Sequence, residues 1–108
     1  MKFGRMREVI ELQRKTVTRG DLGEQITGWA TFARVYAEVS FDMGSEAQRR
    51  QTEGEFETPA TFLIRHRGDV TSADRVLFRS KAYKIEGLRS VSVTRNFDGL
   101  ELRGVHRG

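Results

Sequence analysis

Apolar and polar side chains alternate along most of this chain, most clearly over residues 31–41. Ala33, Val35, Ala37, Val39 and Phe41 fall on one face there, and Arg34, Tyr36, Glu38 and Ser40 on the other. A period of two over that length marks an antiparallel strand with one buried side. The pattern returns over 56–66, with Phe56, Thr58, Ala60, Phe62 and Ile64 inward. Glu57, Pro59, Thr61 and Arg65 oppose them, and Leu63 interrupts that outer row. Pro59 cannot donate to a ladder, so its end of the strand belongs at an edge. Shorter strands are expected at 8–15, 75–79, 82–86, 91–95 and 100–105.

Turn chemistry separates these runs. Arg19-Gly20-Asp21-Leu22-Gly23 reads as a hairpin tip. Asn96-Phe97-Asp98-Gly99 reads as a tight turn whose glycine can take positive φ. Seven short strands in 108 residues predict an all-β fold. The architecture expected is a small antiparallel β-barrel of about six to eight strands, closed so that its edges are hidden. One domain over 1–108 with a thin core fits the length.

One stretch departs from the alternation. Residues 43–55 are polar and poor in aliphatics, bracketed by Gly44 and Gly54. Ser45 is placed to cap a short helix over 46–51, although the capping box is incomplete. Loops of this length in compact domains are functional or disordered. Charge sharpens the contrast. Residues 42–57 hold five acids (Asp42, Glu46, Glu53, Glu55, Glu57) against Arg49 and Arg50, a net of −3. The whole chain carries +4, so the remainder carries +7. An acidic loop on a basic barrel is the most informative asymmetry in the sequence.

A pI near 10.0 raises the prospect of a polyanionic partner. Arginine outnumbers lysine fifteen to four, which suits planar, bidentate ion pairs as well as phosphate. No run of about eighteen apolar residues occurs, so no membrane span is expected. The first residues lack the apolar core of a signal peptide. With zero cysteines there is no disulfide and no thiolate metal site.

Catalysis finds little support. His66 and His106 each end an expected strand, without the converging ligands that a metal needs. The serines lie in no nucleophile-elbow context, and the eleven glycines form no phosphate-cradling motif. Arg67-Gly68-Asp69, a tripeptide known from integrin ligands, falls where a turn needs Gly-Asp anyway. Trp29, with Phe32 and Tyr36, has two readings: a base-stacking platform or packing onto the barrel. These features predict a protein that is not an enzyme and has no cofactor and no metal.

The order of motifs is distinctive. Gly4-Arg5-Met6-Arg7 leads into Val9-Ile10-Glu11-Leu12; a hairpin with Gly23 and then Trp29 follow. Tyr36-Ala37-Glu38-Val39 precedes a polar loop with Gly44-Ser45-Glu46, then Thr61-Phe62-Leu63-Ile64-Arg65-His66-Arg67. Asp74-Arg75-Val76, Tyr83-Lys84-Ile85 and a final strand close the chain. In this order the sequence resembles the phage head–tail joining family, also called head-closure or stopper proteins, across nearly its whole length. His66 departs from the aromatic usual in the Ile-Arg-aromatic-Arg run, and Tyr36 replaces a commoner Trp.

The resemblance implies a β-barrel in the neck of a virion, made in the bacterial host cytoplasm. It implies a hexameric or dodecameric ring below a portal or adaptor protein and above a tail-terminator or tail tube protein. Double-stranded DNA would pass through the ring. The family's channel loop falls here on Met43, Gly44, Ser45, Glu46, Arg49, Arg50, Glu53, Gly54 and Glu55. Arg65, Arg67, Arg75 and Arg79 lie near consecutive strand ends and are expected at subunit or adaptor contacts. Both an infectious or prophage particle and a gene transfer agent fit the pattern. The alternatives are an OB-type barrel for single-stranded nucleic acid and a tail-terminator ring protein.

Overall fold

The computed structural model describes residues 6–41, 57–95 and 97–107. Its six strands are β1 (Glu8–Arg19), β2 (Gln25–Phe41), β3 (Glu57–Arg65), β4 (Arg75–Phe78), β5 (Lys81–Thr94) and β6 (Phe97–Arg107). All neighbours run antiparallel, and the order β1-β2-β3-β6-β5-β4 closes on itself as a barrel. The expected all-β barrel is the observed fold. The polar loop at 43–55, and with it the short helix expected over 46–51, lies outside the described residues.

Two details differ from the sequence pattern. The runs at 82–86 and 91–95 belong to one strand, β5: a register shift between Ile85 and Gly87 absorbs Glu86 as a bulge, and Gly87 itself pairs with Arg103. The turn expected at Asn96-Phe97-Asp98-Gly99 also falls earlier. Thr94 already pairs with Phe97, and Gly99 sits in β6 between Val91 and Arg65. Gly99 lies between two neighbouring strands, so it works as a ladder residue and not as a turn.

The interior follows the alternation. Ile10, Leu12, Ala37, Ala60, Phe62, Ile64, Val76, Phe78, Tyr83, Ile85 and Leu102 are almost fully enclosed. Phe62 is the centre of this core. It meets Phe78 and Tyr83 edge-on, with ring centroids 5.9 and 5.2 Å away, the arrangement aromatic quadrupoles favour. Gly104 makes that packing possible: a methyl there would stand 3.1 Å from the Tyr83 Cβ and 3.5 Å from a Phe62 ring carbon. Leu63 points outward opposite Glu38 and Glu101, yet is 2% exposed. Pro59 pairs with Val105 of β6 and lies one residue beyond Ala60, the last β3 residue paired with β2 among the described residues.

The barrel closes through a narrow seam. β1 meets β4 over only Glu11, Leu12 and Gln13, and among the described residues β2 meets β3 over 38–41 alone. Beyond the seam, 14–19 and 25–31 pair only with each other. They form a two-stranded ribbon that is exposed nearly throughout. The molecule accordingly measures 54 × 34 × 20 Å.

Candidate interaction surfaces

Where the ribbon leaves the barrel, a polar network fixes it. Asp74, in the loop before β4, is 2% exposed. Arg14 grips its carboxylate with two bonds of 3.0 Å and donates a third, of 2.6 Å, to the Asp69 carbonyl. The Thr71 N–H donates to the same carboxylate at 2.9 Å, and the Asp74 N–H donates to the Thr71 carbonyl at 3.1 Å. Burial alone would push the Asp74 carboxyl up, but Arg14 and the Thr71 amide outweigh it and hold the group below its ordinary range. The hydrogen bond from Arg14, with its charge, likewise raises the guanidinium above its usual value.

The network continues across the seam. Arg75 donates to the buried Gln13 at 2.8 Å; Gln13 donates to Thr31 at 3.1 Å, and Thr31 to Glu11 at 3.1 Å. The Arg75 guanidinium lies 4.3 Å from the Trp29 ring centre, and Arg14 stands at the same distance over Phe32. Trp29 thus rests on the outside of the barrel with one face covered, 39% exposed. Tyr36 faces a different recess, so the three aromatics share no stacking platform.

Arg14 and Asp74 were not singled out as functional from the sequence. A Thr71-x-x-Asp74 spacing, which resembles a capping box, was the available signal. Its partner Arg14 lies sixty residues away, and nothing local identifies it.

The four arginines expected at contacts separate into different places. Arg65 and Arg67, with His66, rim a notch of about 400 Å³ whose other walls are Met6, Val35 and Tyr36. The notch opens where β2 and β3 part company above the Glu38–Leu63 pair. Arg67 makes two bonds, of 3.0 and 2.9 Å, to Asp69, and each partner shifts the other toward its charged form. Arg75 belongs to the ribbon root. Arg79 sits in the β4–β5 turn at φ 51°, bonded to Glu8 at 3.0 Å with its guanidinium 4.9 Å from the Phe78 ring centre. The structure brings together the first pair, not all four.

His106 packs against Tyr83 with centroids 5.4 Å apart, its Nδ1 2.8 Å from the Ala82 carbonyl. Among the described residues no group of three or more His, Cys, Asp or Glu could hold a metal ion. Nor is any helix among them long and apolar enough to cross a membrane. Met43, Gly44, Ser45, Glu46, Arg49, Arg50, Glu53, Gly54 and Glu55 lie outside the described residues. Their two anchors are described: Phe41 ends β2 with its ring centroid 6.3 Å from that of Phe78, and Glu57 starts β3 bonded to Arg107 at 2.9 Å. Both ends of the acidic segment therefore leave from the barrel end that carries the β4–β5 turn.

The closed barrel presents a basic notch and an exposed two-stranded ribbon on its described surface. The family model for phage head completion proteins matches residues 1–103. The chain belongs to that family, as a structural component of a phage-type virion. No curated protein matches it. Two solved structures share its fold. One, described as the virion of a native gene transfer agent particle, superposes with a TM-score of 0.68 at 17% identity, covering 94% of each chain. The other is the solution structure of protein SF1141 from Shigella flexneri 2a, with a TM-score of 0.63 at 22% identity and 96% of each chain covered.

Proposed function

We propose that this protein works as a head-closure ring in the neck of the particle, seated under a portal or adaptor protein and joined to the tail below. Its role is structural and not catalytic, carried by one barrel domain over 1–108. The observation that carries this reading is the family match over nearly the whole chain. The charge distribution supports a DNA channel. The 43–55 segment hangs from one end of a basic barrel and carries three acids against two arginines, a net of −1. Each neutralised phosphate adds salt-dependent grip, so carboxylates at the bore let duplex DNA slide while the segment narrows the passage.

In this reading Glu46, Glu53 and Glu55 face the bore or pair with arginines of the next subunit, and Arg49 and Arg50 link loops or touch phosphate. Arg65 and Arg67 at the notch serve contacts between proteins. The test is to reverse Glu46, Glu53 and Glu55 to Lys together and measure DNA retention and ejection in assembled particles. Loss of packaged DNA or stalled ejection is expected. Full heads with unchanged infectivity would remove the channel role, and an image of the neck with this segment on its outer rim would do the same.

A further inference from the structure

The tip of the ribbon is a short loop tied by its own backbone. The Gly20 N–H donates to the Glu24 carbonyl at 2.9 Å, and the Gly23 N–H donates to the Gly20 carbonyl at 3.0 Å. The Leu22 N–H donates to a carboxylate oxygen of Glu24 at 3.1 Å. Gly23 takes φ 83°, which a residue without Cβ adopts freely. The result is that Leu22 is held out at 94% exposure between Asp21 and Glu24, with no base from 20 to 24. The notch has the opposite character. Its apolar walls are Met6, Val35 and the 64% exposed Tyr36; its rim is Arg65, His66 and Arg67, with Asp69 bonded to Arg67 beside it, so the described rim keeps a net positive charge.

We infer that the Leu22 tip of one copy seats in the notch of a second copy, with Asp21 and Glu24 facing Arg65 and Arg67. The occupant has to come from another molecule. Tyr36 pairs with Val9, and Gln25 with Arg19; ten residue steps along β1 separate the two positions by about 33 Å. The tip cannot fold back that far while the ribbon stays paired. Knob and socket are different patches of one chain, so the contact is heterologous. Such a contact passes from copy to copy and either closes into a ring or runs on as a filament. The inference rests on the reading of a self-assembling collar and adds which two patches meet.

The absence of cysteine makes the test clean. Full-length Leu22→Cys and Tyr36→Cys variants, differently tagged, are mixed at concentrations that drive weak association and then oxidised. The mixed disulfide should dominate over both same-variant dimers, and a chain carrying both substitutions should give a ladder of oligomers. Asp21→Arg should lower the mixed yield several-fold, and Arg65→Glu on the socket partner should restore it. Three dimers in statistical proportion, or no cross-link at all, would overturn the docking. So would a Tyr36→Cys chain that in assembled particles cross-links to a different neck protein. Rings seen by mass measurement without the mixed disulfide sink the docking and leave the collar reading standing. Cross-linked chains that grow without closing support the docking and count against the ring.

Discussion

The barrel and the ribbon are made from the same two strands, yet they stand in different solvents. Ile10 and Leu12 of β1 are fully enclosed, whereas Val17 of the same strand is 58% exposed. The difference lies in what each stretch has beside it. Over 11–13 β4 adds a third strand, and Ile10 and Leu12 face the core; over 14–19 only β2 is present. A lone two-stranded hairpin is marginal in water. The ribbon keeps its shape because Arg14, Asp74, Gln13 and Arg75 clamp its root, and its apolar side chains remain available to something outside the chain. The barrel therefore supplies stability, and the ribbon supplies surface.

Substitutions in the two regions should separate these roles, and the barrel should respond most. Phe62→Ala removes the ring that Phe78 and Tyr83 pack against, and is expected to cost about 3–5 kcal/mol. That loss should appear as a fall in Tm of roughly 15 °C or more in a thermal melt. A loss under about 1 kcal/mol would show that the core does not depend on its central aromatic.

The ribbon root comes next. Asp74→Asn leaves the Arg14 guanidinium without its counter-charge and should cost about 1–3 kcal/mol at neutral pH. Its pH dependence has a definite sign. The folded carboxyl is held below its ordinary value of 3.8, so the stability it contributes is present above that pH. It is lost as pH falls through the lower folded value. The gap between native protein and Asp74→Asn in urea melts should therefore shrink only below pH 3.8. A gap constant down to strongly acid pH would mean that this carboxylate does not hold the root. Gly104→Ala, which crowds Tyr83 and Phe62 with a single methyl, should cost about 1–2 kcal/mol. Gly104→Ala at native stability would show that the barrel has slack there.

How legible each region was in the sequence follows from the same contrast. Over 33–39 and 58–64 one face turns toward the core, so burial wrote a period of two that could be read directly. Over 16–19 and 25–30 neither face is buried and the period disappears, so the pattern ends β1 too early and starts β2 too late. Gly99 misled for a related reason: a glycine signals a turn only where no neighbouring strand claims its backbone. Arg14 with Asp74 could not be read, because their pairing depends on a closure that the local pattern does not encode. The notch was half visible. Arg65 and Arg67 stood out, but Val35 and Tyr36 join them only because β2 and β3 diverge above Glu38 and Leu63.

The smallest effect on stability belongs to the tip, and it separates the regions most sharply. Leu22 has almost no contact to lose, so Leu22→Ser should change unfolding free energy by no more than about 0.5 kcal/mol. Hydrogen exchange should already distinguish the parts, with amides of 14–19 and 25–31 exchanging well before those of β3 and β6. If the ribbon is a surface for assembly, Leu22→Ser at native stability should still reduce the fraction of chains in oligomers or in completed particles. A variant that melts like the native chain and assembles like it would show the exposed leucine to be incidental. The ribbon would then need another reason for standing out in water.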